Sequence, residues 1–120
     1  MERRTAMSDC IFCKIAAKKI PARIIYEDEF CLAFEDITPQ APVHTLIIPK
    51  KHISTTLEVS EGDSALIGHL VCSAAKIAKD KDIDGKGFRL VMNTNADGGQ
   101  TVFHIHLHLL GGRPMHWPPG

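Results

Sequence analysis

Apolar positions change their period several times along the chain, and each change predicts an element. Ile11, Phe12, Ile15 and Ala16 recur at helical spacing and predict a short helix that Pro21 stops. RIIYED (23–28) and FCLAFED (30–36) read as two strands joined across residues 27–29 into a hairpin. HTLIIP (44–49) is a third strand, ended by Pro49. SEGDSALIGHLVCSAAKIAKDKD (60–82) is the one long helix: Leu66, Ile67, Leu70, Val71, Ala74, Ile77 and Ala78 recur at three and four residues, and Ser60 and Asp63 have the spacing of a capping box with Asp in place of Glu. DIDGKG ends that helix, FRLVMN (88–93) is a fourth strand, and TNADGGQT (94–101) is a loop leading into a fifth, HIHLHLL (104–110). Five strands in antiparallel, hairpin-like order with one long and one short helix make an α+β fold.

The fifth strand carries the most informative pattern. Successive side chains of a strand point to opposite faces, which puts His104, His106 and His108 on one face and Ile105, Leu107 and Leu109 on the other. Any half-buried strand alternates polar with apolar residues, so one or two such histidines would mean little; His69 and His116 are given no site role, and His69 is read as a surface or packing residue of the long helix. Three imidazoles in strict alternation point instead to a shared metal, proton or anion.

Bulk composition narrows the partners. With 120 residues, 44% hydrophobic and 23% charged, the chain has the composition of a soluble globular domain able to bury one core. Fourteen basic residues balance fourteen acidic ones, so nothing in the net charge favours nucleic acid or a membrane surface, and a phosphate would have to be bound locally. Apolar runs are far shorter than the roughly 20 residues that span a bilayer, and MERRTAMSDC lacks an apolar signal-peptide core, so the expected location is cytoplasmic. Residues 1–8 carry charge without pattern and read as a flexible extension. Cys10 and Cys13 form a close pair that reads as thiols or as part of a metal site, while Cys31 and Cys72 lie in apolar stretches and are assigned to core packing.

NADGGQT directly precedes the histidines. Its glycines would let backbone N–H groups turn toward an anion, with the Gln100 amide and the Thr101 hydroxyl as further donors. A bare DGG is more often a turn; against three histidines it reads as a phosphate cradle. Neutral imidazole is a good nucleophile toward phosphorus, and its ordinary pKa of about 6.5 leaves most of it neutral near pH 7. One histidine can attack while another protonates the leaving group.

HIHLHLL fits the His-X-His-X-His-X-X motif of the histidine-triad superfamily. CLAFEDITPQAPVHTLIIPKKHI and the terminal GGRPMHWPPG extend the resemblance over residues 9–120 to the nucleotide-binding branch, the purine nucleoside phosphoramidases. That resemblance implies a single domain with a C-terminal tail, acting on purine nucleoside 5′-phosphoramidates such as AMP joined to an amine. The route would be a covalent nucleotidyl-histidine intermediate, with no cofactor in the chemistry. It implies that His106 is the nucleophile, that His108 contacts the phosphate and leaving group, that His104 holds the middle ring in its working tautomer through backbone carbonyl contact, and that His44 is the fourth histidine. It further implies that Asn93, Gly99, Gln100 and Thr101 line the phosphate side, that Asp36 accepts the ribose hydroxyls, and that Phe12, Ile15, Ile20, Phe34 and Ile37 form the purine slot; read without it, those five are ordinary core. A homodimer with a continuous ten-stranded sheet is implied too, with Trp117 reaching the partner's active site.

Two positions and one cysteine pair depart from the animal members of that branch. Thr101 replaces Ser and keeps the hydroxyl, while Glu35 replaces a His beside Asp36, at the rim of the nucleoside pocket. Cys10 and Cys13 resemble the pair that bacterial and more distant members use for zinc; with His52 and His104 they would complete a tetrahedral structural site. Two other activities share these residues: dinucleoside polyphosphate hydrolysis, whose branch typically carries Gln at the position of His108, and nucleotide binding by an adaptor module with vestigial catalysis.

Overall fold

The computed structural model describes residues 9–120, so the extension expected at residues 1–8 lies outside the described residues. Five strands, β1 (Ile24–Glu27), β2 (Cys31–Glu35), β3 (Val43–Pro49), β4 (Phe88–Val91) and β5 (Leu107–Gly111), form one antiparallel sheet in the order β1-β2-β3-β5-β4. Helix α1 (Ile11–Ala16) and helix α2 (Ser64–Asp80) are the helices expected, and α3 (Asn95–Gly98) is one extra turn inside the segment read as a loop.

β2 and β3 are buried on both faces, as their nearly unbroken apolar sequences require. Alternation divides their side chains between two cores. Cys31, Ala33, Ile47, Leu107 and Leu109 pack with Leu70, Ala74, Ile77 and Ala78 of α2. Leu32, Phe34, Leu46 and Ile48 pack with Phe12 and Ile15 of α1.

Element ends follow from local chemistry. α1 stops at Ala16, ahead of Pro21, because Lys18 turns into the left-handed region at φ 62°. The capping box forms, with the Ser60 N–H donating to Asp63 Oδ2 at 3.0 Å, but Glu61–Asp63 is a 3-10 turn and the α-helix begins only at Ser64. Cys31 is buried as expected; Cys72 is not, since it falls on the outer side of α2. Among the described residues no helix is long and apolar enough to cross a membrane.

The largest departure is at the histidines: β5 begins at Leu107, so only His108 of the three lies in a strand. In the β3–β5 register, Ile47 faces Leu107, and the next pairing outward would need an N–H from Pro49, which has none. Ile105 instead donates its N–H to the Ile53 carbonyl at 2.8 Å, and residues 104–106 leave the ladder.

Leu109 is fully buried in the α2-side core. Leu109→Ala is expected to cost about 3 kcal/mol of stability, read as a lower urea midpoint at unchanged slope.

Candidate active site

Leaving the ladder gives each histidine different partners. His104 Nε2 lies 2.8 Å from the Pro49 carbonyl, which can only accept; the ring therefore carries its proton on Nε2 and a lone pair on Nδ1. That lone pair lies 3.3 Å from Cys10 Sγ, 3.6 Å from Cys13 Sγ and 3.2 Å from His52 Nδ1. His106 Nδ1 donates to the His104 carbonyl at 2.8 Å, which leaves its Nε2 as a lone pair without a partner among the described residues. The His104 carbonyl thus fixes the tautomer of the middle ring.

His108 is set from the other side. The Gln40 N–H donates to His44 Nδ1 at 3.0 Å, so His44 is protonated on Nε2; that N–H points at His108 Nδ1, 2.9 Å away, and leaves the His108 proton on Nε2. The two neighbouring rings, with centroids 5.0 Å apart, are thus in opposite tautomers: His106 offers a lone pair at Nε2 and His108 a proton. Neither Gln40 nor Pro49 was identified from the sequence, since each acts through its backbone and no side-chain motif marks it.

Burial keeps these rings uncharged. It is the main cause lowering the pKa of His44, of His106, of His104 to about 4 and of His108 to about 4; neighbouring imidazoles lower the last two further, and Asp36 works weakly against the shift at His44, His106 and His108. The His106 ring is thereby held neutral near pH 7.

All five predicted slot residues, Phe12, Ile15, Ile20, Phe34 and Ile37, line one cavity of about 200 Å³ that Asp36 also borders. Phe12, Ile15 and Phe34 are buried, whereas Ile37 is 96% exposed and stands at the mouth. Asp36 uses Oδ1 to accept from the Thr38 N–H at 2.8 Å, and its Oδ2 lies 3.5 Å from His44 Nε2. Glu35 also borders the cavity, but its carboxylate is engaged by Lys81, just past the end of α2, at 2.6 Å and by the Thr45 hydroxyl at 3.3 Å.

The phosphate cradle differs from expectation. Gly99, at φ 85°, caps the turn of α3: its N–H goes to the Ala96 carbonyl and the Gln100 N–H to the Asn95 carbonyl, both at 3.0 Å. The Gln100 side chain is also fully used, donating to the Ser54 and Val102 carbonyls at 2.8 and 3.0 Å and accepting from the Asn95 N–H at 2.9 Å. Gln100 therefore braces the loop, and its donors are not free for an anion. Thr101 is exposed, and Asn93 is half-buried just past β4. Trp117 is 81% exposed, and His116 presents its carbonyl to Arg89 at 2.9 Å. His69 does more than cover surface: its Nε2 lies 2.6 Å from Asp28 Oδ2 and ties α2 to the hairpin turn.

The HIT domain family matches residues 17–115, nearly all of the structure just described. The chain belongs to the HIT family. An uncharacterised HIT-like protein of Synechocystis is 56% identical over 112 residues, covering 93% of this chain and 97% of the relative. The crystal structure of a HIT family hydrolase from Legionella pneumophila superposes with a TM-score of 0.91 at 56% identity, covering 92% of this chain and 99% of the other. A Zn-bound histidine triad family protein from Mycobacterium smegmatis is similar at a TM-score of 0.76 and 34% identity, covering 90% of this chain and 78% of the other. These neighbours support a hydrolase of the HIT superfamily with the five-stranded sheet described.

In this HIT protein Cys10, Cys13, His52 and His104 each bring one ligand atom within 4.8 Å of the others. The set suits zinc: two thiols, two imidazoles, and a His104 ring whose far nitrogen is pinned by a carbonyl so that its lone pair faces inward. Burial, then the hydrogen bond and charge of Cys10, push the Cys13 thiol up to about 11, so loading a cation would release protons.

The buried histidines share one pH response of stability, and His108 shows its direction. Its folded-state pKa, about 4, lies below the ordinary 6.5, so between those values the unfolded chain binds more protons. Stability is full above about pH 6.5 and falls toward about pH 4. Urea titrations across that range should show the decline, with a shallower slope in His108→Asn. Gln100→Ala removes three buried-loop hydrogen bonds and is expected to cost about 2 kcal/mol or more, with faster amide exchange at Asn95 as the local sign.

Proposed function

We propose that this HIT protein hydrolyses the P–N bond of purine nucleoside 5′-phosphoramidates through a nucleotidyl-histidine intermediate. The observation that carries the reading is the pair of opposite tautomers: a free lone pair on His106 Nε2 beside an N–H on His108 Nε2. In the first step His106 Nε2 forms a bond to phosphorus, the P–N bond breaks, and the leaving nitrogen takes the His108 proton. The His44 N–H aimed at His108 Nδ1 offsets the charge that develops on that ring. In the second step a water oxygen bonds to phosphorus, the P–His106 bond breaks, and the water's proton returns to His108, releasing the nucleoside monophosphate.

Asp36 at the edge of the apolar slot supports a ribose diol as its partner, and Phe12, Ile15, Ile20, Phe34 and Ile37 supply a surface for a purine. Asn93, Gly99 and Thr101 would border the phosphate, with Gln100 holding their loop. Zinc is assigned to Cys10, Cys13, His52 and His104 as a structural ion; when bound it would tie the N-terminal segment to the sheet. A homodimer is part of the same reading. Its support is that β4 is an edge strand, that Gly68, Val71 and Cys72 lie exposed along α2, and that Trp117 stands free to reach the active site of a partner subunit.

Intact mass spectrometry of protein quenched early after mixing with an AMP phosphoramidate is expected to show one added adenylyl group in the wild type and none in His106→Gly. Turnover by His106→Ala should fall by roughly 10³-fold or more while AMP binding stays measurable. Full activity in that variant would sink the mechanism, and tight AMP binding with no turnover of any phosphoramidate would leave a binding module.

A further inference from the structure

The four-residue run Cys10-Ile11-Phe12-Cys13 belongs to two sites at once. Its thiols face His52 and His104, with Cys13 Sγ 3.2 Å from His52 Nδ1, while Ile11 and Phe12 line the apolar slot. Helix α1 has six residues, too few to hold its own shape, and its N-terminus is capped by Cys10 Sγ accepting the Cys13 N–H at 3.3 Å. What fixes the thiols therefore fixes the slot wall. The Phe12 ring meets His106 edge-on at 5.0 Å and 86°, and also touches His104 at 5.8 Å and Phe34 at 5.5 Å. A second link runs through His104, whose ring faces the thiols and whose carbonyl holds His106 Nδ1.

We propose that the Cys10, Cys13, His52 and His104 centre, loaded with zinc, positions both the slot wall and the nucleophile, so that metal binding and nucleoside monophosphate binding are coupled. Phe12 and the His104 carbonyl carry that coupling, and Phe12 is a positioning residue in it. The proposal rests on the reading of the slot as the nucleoside site and goes beyond the purely structural role of the ion. A zinc that only tied α1 to the sheet would raise the melting temperature and leave AMP affinity unchanged. A coupled zinc must tighten AMP, and AMP must tighten zinc by the same factor.

The test is calorimetric titration of AMP into zinc-loaded and chelator-stripped protein kept reduced, in wild type and in Phe12→Ala. Stripping is expected to weaken AMP binding about tenfold in wild type. Phe12→Ala should bind AMP more weakly in both states, with the ratio between them cut to about twofold or less. Equal wild-type affinity with and without zinc overturns the proposal, and an undiminished ratio in Phe12→Ala overturns the part assigned to Phe12. Should the stripped chain unfold, Co(II) takes the place of zinc and the readout is spectral: AMP shifts the visible d–d bands if the sites are coupled, and an unmoved spectrum overturns the coupling. If AMP binds neither form, the nucleoside reading of the slot fails. The coupling is then judged by the ¹⁵N ring signals of His106, which move with zinc if it holds and stay in place if it does not.

Discussion

Pro49 has no N–H to offer a neighbouring strand, and the ladder between β3 and β5 ends just short of it. The carbonyl of Pro49 is thereby left for the His104 ring, and the chain from 104 to 106 is anchored instead through Ile105 to Ile53. With the His104 ring turned toward the thiols, its own carbonyl is available to His106. One missing donor thus separates a metal-type cluster from the His106 ring only two residues away.

The sheet divides its labour between faces. On the α2 side the side chains are almost wholly apolar and close-packed, and the polar contacts there, Lys81 with Glu35 and His69 with Asp28, lie at the margin and pin the helix to β2 and the hairpin turn. On the α1 side the same alternation places His44 beside Leu46, and the His104 and His106 rings, outside the strand, lie against Phe12. Taking imidazoles out of water disfavours their charged form, so the packing that stabilises this face also keeps its bases neutral. A carbonyl, an amide N–H or a neighbouring imidazole engages one nitrogen of each ring, which fixes the tautomers.

The loop from Asn95 to Thr101 shows how a glycine pair can be misjudged. Two adjacent glycines before a histidine cluster suggest amides bared to an anion, yet the left-handed Gly99 turns its own N–H and that of Gln100 back onto α3. The buried Gln100 side chain then spans the loop with three hydrogen bonds. The loop's rigidity, more than its free donors, is what it contributes to the neighbouring site.

Elements with a long apolar period were legible in the chain itself. The repeat along α2, the apolar runs of β2 and β3 and the Ser60–Asp63 cap each report a local preference that packing only had to accept. The five slot residues and Asp36 were named from a resemblance in sequence, and the fold gathers them around one cavity. What the tertiary structure alone decided was directional: that His104 faces Cys10 and Cys13 while His108 faces His44, that Gln100 is a brace, that Cys72 is outside, and that Gln40 and Pro49 set tautomers. These depend on which backbone N–H or carbonyl a distant segment presents, and every residue but proline carries the same N–H and carbonyl, so no side-chain pattern records where they point.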